Sequence, residues 1–365
     1  MNPKPHIVDL PVYKPGKPIE EVQKEYGLQK VIKLASNENP YGSSPSAKAA
    51  ILAELDNLYL YPDGSAAELT SAVASHLGVK GENIIFGCGS DEIIALIARA
   101  FFLPGDETIM ADQTFSVYKS NADIEGAVGI EVPLVNGTHD LAAMLAAVTD
   151  KTKVIWVCNP NNPTGTFVPE AELMSFLNAV PERVMVVLDE AYFEYATDLS
   201  YPDGIKLLDR YPNLVVLRTF SKIYGLAALR IGYGIGSPGI IKLINQVREP
   251  FNTSRIAQAA ALAALGDKEY VKECRQLNAD GRLQLQAEFQ RLGLNHFPSQ
   301  GNFIMVDVRV PASELFESLL RKGVIVRAGH RLYPTWIRVT VGSQEQNKAF
   351  IAALEAALME QGVRA

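Results

Sequence analysis

Short apolar runs of four to six residues alternate along the chain with longer stretches in which apolar positions recur at the helical period. The short runs read as parallel strands buried on both faces, and their alternation with helices predicts an α/β fold with a mostly parallel sheet flanked by helices. Strands are expected at Asn83–Phe86, Lys153–Val157, Val184–Leu188 and Leu214–Leu217. Each ends in a polar or glycine-rich turn: Gly87-Cys88-Gly89-Ser90-Asp91, Asn159-Pro160-Asn161-Asn162-Pro163, Asp189-Glu190-Ala191-Tyr192 and Arg218-Thr219-Phe220-Ser221-Lys222. Ligands of open α/β sheets sit outside the carboxyl ends of the strands, so these four segments are expected to meet at one edge.

The texture changes after about residue 250. One long Ala-, Leu- and Gln-rich helix is expected from Ser254 to Leu292 as a connector. Strands at Asn302–Val306, Val324–Val326 and Trp336–Thr340 then form a smaller α+β layer, closed by a helix from Glu345 to Leu358. The Pro- and Lys-rich first thirty residues read as an arm or lid. The predicted division is 1–43 for the arm and part of the small domain, 44–252 for a large α/β domain, and 253–365 for the connector and C-terminal small domain.

Charge and composition narrow the function classes. With 34 Lys and Arg against 41 Asp and Glu, the net charge is −7, which argues against a nucleic-acid partner or a basic membrane surface. No stretch approaches the roughly 20 apolar residues of a membrane span, and the start carries no apolar signal core. Cys88, Cys158 and Cys274 are odd in number and widely spaced, so a reducing cytoplasm is expected and no zinc site is. The five histidines, His330 among them, show no ligand spacing and read as scattered surface or core residues. Gly234-Ile235-Gly236-Ser237-Pro238-Gly239 matches the dinucleotide fingerprint G-x-G-x-x-G, but Ala259-Ala260-Ala261 stand where its acidic partner belongs. A nicotinamide oxidoreductase is therefore a remote alternative, and a strand-to-helix turn the plain reading.

The chemistry-bearing residues sit at the strand ends. A lysine just beyond a buried strand, Lys222, is placed for desolvation, which lowers an amine's pKa and suits it to Schiff-base formation. Backbone N–H groups of Ser90 and Asp91, where a glycine-rich turn opens a helix, suit a phosphate. Asp189 ends a buried strand and needs a cationic partner, such as a protonated pyridine nitrogen. Asn162 and Tyr192 are donors suited to a phenolate oxygen. Singly, each has a bland reading as a turn Asn, a capping Asp or a packed Tyr; together, at successive strand ends, they point to one site.

These motifs resemble those of the fold-type-I pyridoxal-phosphate aminotransferases, and within them the histidinol-phosphate aminotransferase family. The resemblance runs from Lys33-Leu34-Ala35-Ser36-Asn37-Glu38-Asn39-Pro40 through Asn161-Asn162-Pro163-Thr164-Gly165 and Thr219-Phe220-Ser221-Lys222 to Arg338-Val339-Thr340-Val341-Gly342. It implies a fold of one large α/β domain and a smaller α+β domain, with pyridoxal 5′-phosphate as cofactor. Lys222 would bond to the cofactor and shuttle the proton between Cα and C4′. Asp189 would pair with the pyridinium nitrogen, Asn162 and Tyr192 would hold the ring oxygen, and Phe115 would stack on the ring. Ser90, Asp91, Thr219, Ser221 and Arg230 would bind the phosphate. Tyr61 matches a tyrosine contributed by the partner subunit, which implies a homodimer with shared active sites.

The implied reaction moves the amino group of L-histidinol phosphate to 2-oxoglutarate, in histidine biosynthesis. A guanidinium forks onto either a carboxylate or a phosphate, which makes Arg338 and Arg327 the substrate candidates. Tyr13 and Asn37 are expected to close over the substrate from the N-terminal arm. Two residues depart from the family pattern: Cys88 stands where Asn is frequent, and Phe251 where Tyr is. Both changes are expected to remove polar groups near the substrate, so an aromatic amino-acid aminotransferase, or an enzyme with both activities, is the alternative.

Overall fold

The computed structural model describes residues 2–10, 12 and 16–363. Among the described residues eleven strands occur in chain order: β1 (Ile32–Lys33), β2 (Ile84–Gly87), β3 (Glu107–Ala111), β4 (Val128–Val132), β5 (Thr152–Cys158), β6 (Met185–Asp189), β7 (Leu214–Thr219), β8 (Gly232–Gly236), β9 (Phe303–Asp307), β10 (Val324–Ile325) and β11 (Trp336–Thr340). Seven of them form the main sheet in the order β2-β8-β7-β6-β5-β3-β4, parallel except for β8.

The apolar runs predicted as strands are buried on both faces because side chains alternate across the sheet. Ile155, Val157, Val186, Leu188 and Val216 pack into the core on one side. Val154, Trp156, Met185, Val187 and Val215 pack into the core on the other. Three sheet strands escape prediction. β3 and β4 mix polar with apolar positions, and β8, Gly-Tyr-Gly-Ile-Gly, has weak strand propensity yet is wholly buried between β2 and β7.

Because β8 runs antiparallel, its far end opens at the edge opposite the four chemistry-bearing turns: Gly232 is level with Thr219 and Gly236 with Val215. The G-x-G-x-x-G segment thus leads from β8 into the helix Pro238–Gln246 on the wrong edge for the strand-end crevice. The predicted single connector is two helices, Arg255–Gly266 and Lys268–Arg291. Gly266 and Asp267 are poor helix formers, and the Ser46 hydroxyl holds the Asp267 carboxylate at 2.9 Å. The final helix, Gln344–Glu360, starts on a Ser343 capping box with Gln346.

Beyond the connector, β9 and β11 pair antiparallel, and β10 pairs with β1 from the N-terminal segment. Leu34, Leu285, Ile304, Ile337 and Leu354 share one core there. The N-terminal segment is fastened at two places. His6 Nε2 lies 2.9 Å from the Ile124 carbonyl, and Val22 of the helix Ile19–Tyr26 is buried against Leu320 and Ile325. Among the described residues no helix is long and apolar enough to cross a membrane, and no cluster of three His, Cys, Asp or Glu side chains could hold a metal.

Candidate active site

The carboxyl ends of β2, β5, β6 and β7 open into one cavity of about 640 Å³. Lys222, Asp189, Asn162, Thr219 and Ser90 reach it from those ends, as the parallel run of the strands requires. Phe115 joins them from the turn after β3, and Arg327 and Arg338 from the C-terminal layer.

The floor carries Asp189, only 3% exposed. Burial raises its pKa to about 6, while hydrogen bonds from Tyr118 and Ala191 oppose the rise. Tyr118 Oη donates to Oδ2 at 2.6 Å and the Ala191 N–H to Oδ1 at 3.1 Å. Among the described residues no ion pair reaches this carboxylate within 4 Å, and it faces the cavity with its charge balanced only by hydrogen bonds and the more distant Lys222. Tyr118 was not foreseen in the sequence. It stacks on Trp156 at 4.9 Å and meets Phe115 edge-on at 5.6 Å, three residues away on the same side of the chain.

One corner is built for an anion. Gly89, at φ 79°, turns the chain into the helix Ser90–Phe101, whose first N–H groups face the cavity end. The positive φ favours glycine at position 89, and a Cβ there would also lie 2.5 Å from Arg230 Nη2 and push the guanidinium aside. Arg230 Nη1 donates to Ser221 Oγ at 3.2 Å, and Nη2 lies 3.4 Å from Asp91 Oδ2. Thr219 Oγ1 accepts the Ser221 N–H at 3.0 Å.

Across the floor, Tyr192 Oη accepts from Asn37 Nδ2 at 3.0 Å and from Asn162 Nδ2 at 3.4 Å. Burial pushes its pKa above the ordinary phenol range, so it keeps a proton to donate. Lys222 Nζ stands 5.5 Å from the Tyr192 ring centre. Burial first, and then the charge of Arg338, lower the Lys222 pKa to about 8, with Asp91 and Glu38 pulling it up. Arg338 Nη1 donates to Asn162 Oδ1 at 2.6 Å and Nη2 to the Ala35 carbonyl at 2.7 Å. Its backbone exchanges hydrogen bonds with Arg327 at 3.0 and 2.8 Å, which holds the two arginines side by side.

Four expectations are revised or left open. Asn37 is 1% exposed, hydrogen-bonded to Thr340 and Asn302, and forms part of the cavity wall. Tyr13 lies outside the described residues. Cys88 is exposed, and Phe251 stacks on Tyr61 at 4.8 Å; both are outside the described lining of this chain's own cavity. Tyr61 is 78% exposed and likewise outside this chain's own cavity. Its loop is tied to the anion corner: Arg248 reaches the Gly64 carbonyl at 3.0 Å and Asn252 at 2.7 Å, and Asn252 reaches Glu92 at 2.7 Å.

Known proteins similar to this chain share its length and its fold. The family profile for aminotransferase class I and II matches residues 29–354. A histidinol-phosphate aminotransferase of Brevibacillus brevis is 55% identical over 356 residues, covering 97% of this chain and 98% of the relative. One of Bacillus subtilis is 52% identical over 356 residues, 97% and 99% of the two chains. The crystal structure of the Sinorhizobium meliloti histidinol-phosphate aminotransferase in complex with pyridoxal-5′-phosphate superposes with a TM-score of 0.91 at 31% identity, covering 98% of this chain and 97% of that one. With its fold-type-I architecture and a near full-length match to these relatives, the chain belongs to the histidinol-phosphate aminotransferase family of the class I and II aminotransferases.

Proposed function

We infer that this chain is a pyridoxal-phosphate-dependent aminotransferase that takes the amino group of L-histidinol phosphate and passes it to 2-oxoglutarate. The observation that carries the reading is a buried lysine of lowered pKa facing a buried, cation-seeking carboxylate, with an anion corner on one side and paired arginines on the other. The residues present fit the cofactor: Asp189 would pair with a protonated ring nitrogen, Tyr192 and Asn162 would hold the ring oxygen, Phe115 would stack on a ring face, and Ser90, Asp91, Thr219, Ser221 and Arg230 would hold the phosphate. When bound, pyridoxal phosphate supplies an aldehyde that accepts amino groups and a ring that accepts the electron pair left at the substrate Cα.

The chain's own part is positioning and proton transfer. With a pKa of about 8, Lys222 is neutral in roughly a quarter of molecules at pH 7.5, against about one in a thousand for an ordinary lysine. The neutral amine takes the proton from Cα and returns it. Tyr192 and Asn162 would orient the ring oxygen, and Asn162 also accepts from Arg338, which ties the residues for the ring oxygen to the arginine for the substrate anion. Arg338 and Arg327 bind the anionic end of each substrate in turn.

The same reading makes the enzyme a homodimer. Leu52, Leu55, Leu58, Tyr59 and Leu60 are exposed on one segment leading to Tyr61, an apolar strip that water covers badly and a second copy covers well. Tyr61 then serves the partner's site. The three free cysteines support a cytoplasmic location. The division at 43/44 is supported by β1, which joins the C-terminal core, whereas Ala257, Ala260, Ala261 and Ala264 of the helix Arg255–Gly266 pack into the core about the main sheet, so that helix goes with the large domain and the second boundary lies beyond 252/253.

The purified enzyme should absorb in the visible, respond to L-histidinol phosphate, and recover on adding 2-oxoglutarate. Lys222→Ala should still bind cofactor but lose turnover by about 10²- to 10⁴-fold or more. Normal turnover in that variant, or a kcat/KM favouring phenylalanine over histidinol phosphate, would overturn the reading.

A further inference from the structure

His330 reads in the sequence as one of five scattered histidines. In the fold it lines the active-site cavity, on the loop that leaves Arg327 and precedes Tyr333. Its Nε2 is buried and has no hydrogen-bond partner among the described residues. Buried polar atoms in folded proteins are nearly always paired, and one left unpaired beside a ligand cavity marks a place where the ligand completes the bond.

The surroundings identify the ligand group. Burial first, and then the charges of Arg338 and Arg327, which are close enough to act on the imidazole, lower its pKa to about 3 and keep it uncharged at neutral pH. In the neutral tautomer that carries its proton on Nε2, His330 adds an N–H donor to a region already held by guanidinium groups, where another cation would be repelled. A site lined by two arginines and a spare donor suits an oxyanion. Two planar guanidinium forks engage edges of a tetrahedral group and leave an acceptor oxygen facing a third direction; a carboxylate has only two oxygens and is satisfied by the forks alone.

We propose that His330 is a specificity-determining residue of this enzyme, donating from Nε2 to the phosphate monoester of the amino donor. The inference rests on the reading of the substrate as L-histidinol phosphate. It assigns to His330 the discrimination between that compound and its dephosphorylated analogue, while Arg327 and Arg338 serve both half-reactions. The role is a binding one: His330 takes no part in proton transfer at Cα.

The test uses the holoenzyme and single-turnover reactions followed in the cofactor's absorption band. Wild type is compared with His330→Ala and His330→Gln on three amino donors: L-histidinol phosphate, L-histidinol and glutamate. Loss of one hydrogen bond to a charged group should lower kcat/KM of His330→Ala on histidinol phosphate roughly 10- to 100-fold, mainly through KM. Histidinol and glutamate should change less than about threefold, because neither presents a phosphate. Gln carries an N–H donor at comparable reach and should recover most of the loss. An equal loss on histidinol would assign His330 to the imidazole end of the substrate or to loop structure, and a loss confined to glutamate would assign it to a carboxylate; either overturns the proposal, as does an unchanged His330→Ala. The wild-type enzyme separates this from the underlying reading: if it uses histidinol as well as histidinol phosphate, the substrate assignment itself fails, and the proposal with it.

Discussion

Tyr118→Phe isolates the support of the Asp189 carboxylate from everything else in the site. The hydroxyl donates to Asp189 Oδ2 at 2.6 Å, and the ring is stacked on Trp156 with an interplanar angle of 10°. Phenylalanine keeps the ring and its stacking and removes only the donor. A hydrogen bond to a buried charged group is worth about 1.5–3 kcal/mol, and each 1.36 kcal/mol of preference for the charged form is about one pKa unit. The bond favours the ionised form, so its loss raises a pKa that burial has already brought to about 6. The carboxylate in the variant should then titrate near about 7–8. Cofactor binding needs the ionised form, which in either protein is present above the carboxylate pKa and lost as pH falls through it. Titrating pyridoxal phosphate into the cofactor-free protein from pH 5.5 to 9 should show affinity breaking near pH 6 in wild type and one to two units higher in the variant, roughly tenfold weaker at pH 6.5 and less than about threefold weaker at pH 9. A break at the same pH in both proteins would refute the claim that Tyr118 holds this carboxylate ionised.

Three further outcomes follow from the site. Arg230→Gln should weaken cofactor affinity roughly 10- to 100-fold by removing a charged donor from the anion corner, with phosphate-free pyridoxal affected far less; equilibrium dialysis with both compounds measures it. The rate of Cα deprotonation in single turnover should rise with pH through about 8, because the depressed pKa of Lys222 makes the neutral amine available above that value and lost below it. Leu58→Asp should shift the enzyme toward monomer in sedimentation at micromolar concentration, with activity falling as dimer is lost, since a carboxylate in the middle of the exposed strip cannot be buried unpaired.

Much of the site was readable before any tertiary structure. Parallel strands buried on both faces must be continuously apolar, and their carboxyl ends must share one edge; that alone gathers Ser90, Asn162, Asp189, Thr219 and Lys222. The apolar runs of β5, β6 and β7 carry their own boundaries because the polar turns that stop them are the chemistry. The weakly patterned strands were not legible. β8 is a strand because it completes hydrogen bonding between β2 and β7 in a space that suits its glycines, a circumstance no local propensity encodes.

What the chain's own sequence determined is the set of reactive groups and the edge on which they stand, since periodicity and turn chemistry are local properties. What only the tertiary structure decided is how those groups are tuned and which others join them. Tyr118 meets Asp189 across 71 residues of chain, and Asn37 reaches Tyr192 across 155. His330 becomes part of the cavity because the C-terminal layer closes over it beside Arg327 and Arg338. Lys222 loses its charge near pH 8 because other elements bury it and bring Arg338 near. Burial and long-range proximity set proton affinities, and both arise only when segments distant in sequence pack together.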